Sequence, residues 1–96
     1  MLIVIVDFEV ARDDRDTALA TLSAEGRDAR ALPGNLDYSV WCDPDRDGRL
    51  RLMHSWRDPA SFDAYKLTDG FKAVGANLFP KMVAKPATQM HRVVPS

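Results

Sequence analysis

"LDYSVWCDPDRDGRLRLMHSW", residues 36–56, decides the fold. Two runs alternate apolar and polar residues, and an Asp-, Pro- and Gly-rich segment separates them. In the first run Leu36, Tyr38, Val40 and Cys42 share one face, against Asp37, Ser39 and Trp41. In the second, Leu50, Leu52, His54 and Trp56 stand against Arg51, Met53 and Ser55. A period of two on both sides of a turn signal predicts a β-hairpin. The turn, "DPDRDG" (43–48), imitates the start of a calcium loop, with Asp43, Asp45, Asp47 and Gly48 in the D-x-D-x-D-G pattern. Its twelfth position is His54, where calcium needs a bidentate Glu, and strands replace the flanking helices. The segment reads as a solvated acidic turn, built from the residues that tight turns use.

Upstream, "LIVIVDFEV" (2–10) reads as a central strand, with Leu2, Val4, Val6, Phe8 and Val10 on one face. Ile3, Ile5, Asp7 and Glu9 form the other face. "RDDRD" supplies acids for a helix start, with Asp13 or Asp14 as the cap. The helix is predicted over 14–31, on a thin stripe of Ala18, Leu22 and Ala29, and "LPGN" (32–35) ends it. Downstream, Asp58 caps a helix that has Pro59 at its first position, and Phe62 and Tyr65 share its face. "TDG" interrupts the chain, and Asp69 caps a further helix striped by Phe71, Val74 and Leu78. Pro80 ends that helix near Phe79, and "ATQMHRVV" (87–94) is the last strand. The order is βαββαβ with the second helix split. It predicts an α+β, ferredoxin-like fold with one antiparallel sheet, in a single domain over 1–96.

Bulk properties exclude several functions. A chain of 96 residues buries a limited fraction of its surface, which favours oligomerisation. A formal net charge of -1 offers no electrostatic case for nucleic acid or an anionic membrane. No apolar run approaches the roughly 20 residues needed to span a bilayer. The N-terminal run lacks the basic start and small-residue cleavage site of a signal peptide. One cysteine allows no internal disulfide, which fits a cytoplasmic protein. Cys42 reads as a buried structural thiol rather than a nucleophile. No dinucleotide, phosphate-loop or zinc spacing is present, so neither a cofactor nor a metal is expected.

The order and spacing resemble the antibiotic-biosynthesis-monooxygenase-like family of dimeric α+β barrels. The carriers are "MLIVIVDFEV", "LPGNLDYSVWCDPDRDGRLRLMHSW", "DPASFDAYKLTDGF" and "KPATQMHRVV", which cover nearly the whole chain. Within them, the family's strand-ending Trp and its later Phe match Trp56 and Phe71. The resemblance implies a homodimer whose two sheets meet face to face, and a pocket in each subunit between its helices and its own sheet. It also implies oxygenation of a small anthrone- or quinol-like aromatic by O2 with no cofactor. The substrate would be deprotonated, its anion would pass an electron to O2, and the resulting peroxide would collapse to a quinone. His54 and Trp56 become the catalytic candidates, and Asp7, Leu52, Phe62, Tyr65, Phe71 and Leu78 the substrate-binding ones.

Several positions depart from the family pattern. His54 replaces a Glu two residues before the Trp, and Leu52 replaces the pocket Asn of the anthrone-oxidising members. Phe62 stands for a Tyr. Tyr65 and Gly70 stand for two His, and Gly75 falls where haem-degrading relatives carry theirs. Haem degradation is therefore not expected. His54 reads either as the base, with Asp7 as its orienting partner if the register allows, or as a structural His bonded to its surroundings. Trp56 reads as pocket wall or core, Tyr65 as a ligand contact or a surface-reaching phenol, Trp41 as an interface residue and His91 as solvated. Two further functions stay open: a non-catalytic dimeric binding module, and an isomerase or decarboxylase on the same scaffold.

Overall fold

The alternation of residues 36–56 produces strands β2 (Asn35–Cys42) and β3 (Arg49–Trp56). In the computed structural model, which describes residues 1–94, β1 (Leu2–Glu9) lies beside β3, and β4 (Ala87–Arg92) lies on the other side of β1. The four strands run in the order β2-β3-β1-β4, and every neighbouring pair is antiparallel. Helices α1 (Arg15–Arg30), α2 (Pro59–Lys66) and α3 (Asp69–Leu78) complete the ferredoxin-like α+β fold.

Register decides which residues share a face. Tyr38, His54, Val4 and Met90 pair across the sheet in one row, and Val40, Leu52, Val6 and Thr88 form the next row on the same face. Because side chains alternate along a strand, the intervening residues emerge on the other face. One such row is Trp41, Arg51, Asp7 and Ala87, and another is Ser39, Met53, Ile5 and Gln89. The first set meets the helices. It contributes to a core in which Trp56, Tyr38, Leu22, Leu50, Val4 and Val10 are almost wholly inaccessible. Burial of each large apolar side chain stabilises the fold by about 1.5–3 kcal/mol.

The helix starts follow the chain chemistry with small changes. Asp58 caps α2 as expected, its Oδ1 accepting from the Ser61 amide at 2.8 Å, with Pro59 in the first turn. Thr68, not Asp69, caps α3, its Oγ1 accepting from the Phe71 amide at 3.2 Å. Asp14 holds the cap position of α1 without a side-chain bond, because the preceding Arg12–Asp14 already form a 3-10 turn. Pro80 ends α3 at Leu78, and the chain continues as a second 3-10 turn over Phe79–Lys81.

Two expectations about the hairpin fail. Leu36 leaves the apolar face because the register shifts between Asn35 and Asp37, so that Leu36 is the extra residue of a bulge and is exposed. Cys42 is exposed rather than buried. It is the last residue of β2, an edge strand of the sheet. The acidic turn is held by one bond of its own and one ion pair from outside it. Asp43 Oδ1 accepts from the Asp45 amide at 2.8 Å and Asp47 pairs with Arg12 at 3.2 Å. Among the described residues no cluster of metal-ligating side chains forms.

Candidate active site

The helix-facing side of the sheet is not completely filled. A cavity of about 460 Å³ lies between it and α1, α2 and α3. Val4, Val6, Phe8, Tyr38, Leu52 and His54 form its floor, and Phe62, Tyr65, Phe71 and Leu78 its helical wall. Phe71, Lys72, Phe79, Thr88 and Met90 reach solvent and mark the mouth. Nearly all of this lining is apolar, which suits a flat apolar ligand. Lys66 also belongs to the wall, with its ammonium 4.8 Å from the centre of the Phe62 ring.

The cavity brings together His54, Leu52, Phe62, Tyr65, Phe71 and Leu78. Trp56 and Asp7 stand elsewhere. Trp56 is 0% exposed and sits behind the wall, stacked on Tyr65 with ring centres 5.0 Å apart. Of the two readings of Trp56, the structure therefore selects core. Asp7 lies on the opposite face of the sheet. Its carboxylate takes two hydrogen bonds from Arg51, at 2.6 and 2.8 Å. That bond holds its pKa below the ordinary carboxylate value. Asp7 is paired with Arg51 and not with His54, so it cannot orient the imidazole.

Trp56 is the partner that His54 lacked in the sequence. The two side chains are neighbours on one face of β3, and Trp56 Nε1–H donates to His54 Nδ1 at 2.9 Å. An indole N–H can only donate, so Nδ1 must carry the lone pair and the neutral ring keeps its proton on Nε2. The imidazole is 4% exposed, with the rings of Tyr38, Phe62 and Tyr65 centred 5.5–5.9 Å away. Burial among these rings disfavours the charged form and pushes its pKa down to about 4. Of the two readings of His54, this geometry favours the one in which it is bonded to its surroundings. Its basic lone pair is already engaged, and a group of so low a pKa is a weak proton acceptor at neutral pH. What the ring can offer is the Nε2–H donor.

Beside His54 lies a polar cluster that the chain hides better. Tyr38 and Tyr65 both line the cavity. The Tyr65 hydroxyl lies near the Tyr38 hydroxyl and the carboxyl of Glu25 on α1, without a formed hydrogen bond to either. Glu25 is 6% exposed, and no cation offsets its charge among the described residues. Desolvation comes first among the causes that raise its pKa, and Asp28 adds to it. Desolvation likewise pushes Tyr38 up to about 12 and Tyr65 higher still. Glu25 Oε2 and Tyr38 Oη each lack a hydrogen-bond partner. Sequence reading overlooked Glu25. The available signal was its position, since Ala18, Leu22, Glu25 and Ala29 follow helical spacing and place a charge on the buried stripe. Tyr38 read only as one more apolar position in an alternating strand.

Two close approaches make room for the cluster. A methyl group at Gly26 would sit 2.9 Å from Tyr38 Cδ1, so α1 packs its backbone on the phenol ring. A methyl group at Gly70 would sit 2.6 Å from Glu25 Oε1. The carboxyl thus occupies the space that a side chain at position 70 would take, the position where the family pattern has a His. Cys42, Trp41 and His91 lie outside the cavity. Trp41 is 58% exposed on the open face, with Nε1–H donating to Ser39 Oγ at 3.0 Å. His91 is solvated on β4, its Nε2 3.1 Å from Gln89 Oε1.

A ferredoxin-like subunit with an apolar cavity between its helices and its sheet, ending on buried polar groups, defines a class of small-ligand sites. A family model for antibiotic biosynthesis monooxygenases matches residues 1–77, and the chain belongs to that family. The fold is similar to that of a crystal structure described as an antibiotic biosynthesis monooxygenase, at 21% identity, with 99% of this chain and 100% of the other covered and a TM-score of 0.89. It is also similar to Rv0793 from Mycobacterium tuberculosis, at 21% identity, 99% and 96% coverage and a TM-score of 0.89. A conserved protein from Methanosarcina mazei Go1 aligns at 18% identity, over 95% and 90% of the two chains, with a TM-score of 0.88. No curated protein matches the chain. Among the described residues no helix is long and apolar enough to cross a membrane.

Proposed function

We propose that this protein is a cofactor-independent monooxygenase of the cytoplasm, acting as a homodimer on a small, flat anthrone- or quinol-like aromatic with O2. The observation that carries this reading is the cavity. It has the volume and aromatic walls for such a molecule, and its polar groups gather at His54, Tyr38 and Tyr65. Family membership supplies the reaction class. In this reading the substrate loses a proton, and the Nε2–H of His54 hydrogen-bonds to its oxygen as negative charge develops there. A preorganised donor in a water-poor site stabilises such an anion far better than bulk water does. The anion then passes one electron to O2, the radicals combine to a peroxide, and loss of water leaves a quinone. Phe62, Tyr65, Phe71, Leu52 and Leu78 hold the rings in plane. Trp56 acts from behind, by fixing the tautomer and angle of His54.

The open sheet face supports the dimer. Trp41 is exposed, Ile3, Ile5 and Met53 are half-buried, and every residue of β4 is exposed in the lone subunit. Two such sheets meeting face to face would cover them. An aromatic anchor at an interface centre is worth about 2 kcal/mol or more. Trp41→Asp should accordingly weaken the dimer at least about 30-fold, read by sedimentation equilibrium.

Oxygen uptake with a panel of anthrones and hydroquinones tests the activity. Uptake with quinone formation, reduced in His54→Phe about 10²–10³-fold, is the expected result. Saturable binding without uptake would instead mark a binding module, and product formation without oxygen an isomerase or decarboxylase.

A further inference from the structure

With His54 bonded to Trp56 through its lone pair, the reaction lacks a base at the cavity floor. Three observations converge on another group. Glu25 is a buried carboxyl outside the cavity lining, with Oε2 unpartnered and no cation to hold it as a fixed ion pair among the described residues. Tyr65, whose hydroxyl lies near that carboxyl, is itself a wall of the cavity, which Glu25 is not. Gly70 keeps the α3 backbone clear of the carboxylate, where any side chain would displace it. The groups around Glu25 are Asp28 on its own helix, Tyr65 on α2, Tyr38 on β2 and the Gly70 backbone on α3.

We infer that Glu25 and Tyr65 form a proton relay, in which Glu25, acting from outside the cavity, is the terminal acceptor for the proton taken from the substrate. The relay rests on the proposed acid–base chemistry at this site but not on oxygen. In the step, the substrate's acidic O–H or C–H bond breaks and its electron pair stays on the substrate. The proton passes to Tyr65 Oη as the Tyr65 hydroxyl proton passes to a Glu25 oxygen. Tyr65 ends neutral, Glu25 ends as the carboxylic acid, and the negative charge has moved from Glu25 to the substrate. No oxidant takes part. Burial that raises the carboxyl's proton affinity makes it a stronger base than an exposed glutamate. Tyr65 is the catalytic residue of the pair and Glu25 the positioned acceptor behind it. Stacking on Trp56 and edge contacts with His54 and Phe71 keep the phenol from swinging away.

Anaerobic hydrogen exchange reads this step alone. Anthrone is incubated with the protein in D2O without oxygen, and deuterium entering its activated CH2 is followed by mass spectrometry. The wild type should accelerate exchange over buffer. Glu25→Gln should slow the bound reaction about 10²–10⁴-fold while leaving anthrone affinity unchanged. Tyr65→Phe should lose a similar factor. Glu25→Asp, which keeps the carboxylate but shortens its reach, should recover part of the rate, which a merely structural role would not do. Folding is checked by circular dichroism, and Gln is the more easily buried side chain, so the variant should stay folded. A folded Glu25→Gln that exchanges at the wild-type rate overturns the relay, as does a wild type that gives no acceleration. Exchange that depends on Glu25 without oxygen uptake in air would leave the relay standing and remove the oxygenase.

Discussion

Two carboxylates, Asp7 and Glu25, show how the two sides of this sheet treat the same chemical group. Asp7 lies on the open side, and Arg51 grips it with two short hydrogen bonds that hold its pKa down. Glu25 projects from α1 into the covered side, has no cation, and is pushed up by desolvation. An exposed charge is cheap and can be paired, so Asp7 is inert. A buried charge without a partner is costly, and a fold keeps one only at some expense in stability. Buried titratable groups of this kind mark candidate sites when they adjoin a cavity. In the proposed function the open side serves assembly and the covered side chemistry.

The largest effect should come from the covered side. Trp56→Ala removes a wholly buried indole and the donor to His54 Nδ1, and should cost about 3–5 kcal/mol in urea denaturation. A loss below that range would mean that the aromatic cluster collapses into the space.

Stability against pH comes next. The folded-state pKa of His54, about 4, lies below the ordinary value of 6.5, so the unfolded chain binds more protons between them. Stability therefore rises as pH goes from about 4 to 6.5 and is lost on acidification through that window, by up to about 3 kcal/mol. Glu25 acts oppositely. Its raised pKa means that the folded chain holds the extra proton, so its contribution falls as pH rises from the unfolded value toward the folded one. Glu25→Gln should accordingly steepen the rise, and His54→Phe should flatten it. Denaturant titrations at several pH values measure both slopes.

Gly70→Ala sharpens the comparison further. The new methyl would meet the carboxyl at the far end of the Glu25 side chain, which can swing aside, so the variant should lose at most about 1 kcal/mol, the low end of an overpacking cost. Combining it with Glu25→Ala should recover most of that loss, a coupling that a double-mutant cycle isolates. The smallest effect belongs to the open side. Asp7→Asn breaks an exposed pair and should leave the melting temperature of the monomeric protein, studied at low concentration, almost unchanged.

Much of this was legible in the chain. Alternation in residues 36–56, the Asp58-Pro59 helix start and the Pro80 stop are local signals, and they fixed the βαββαβ order. Periodicity also put Leu52 with His54 on one face of β3, Phe62 with Tyr65 on one face of α2 and Phe71 with Leu78 on one stripe of α3, while their gathering into one pocket was what the family resemblance implied. Three-dimensional packing decided the rest. A bulge of one residue sent Leu36 outward, and an edge position exposed Cys42. Cross-strand register set Asp7 opposite Arg51, where no residue spacing could have placed it. Proximity gave His54 its partner in Trp56, turning a candidate base into a donor. The buried carboxyl of Glu25 comes from a helix some thirty residues away from His54 in sequence, and its desolvation depends on which elements meet. The sequence alone determined the order of the elements and the faces they present. Only the packing of α1 and α3 over that sheet determined which ionisable groups lost their water.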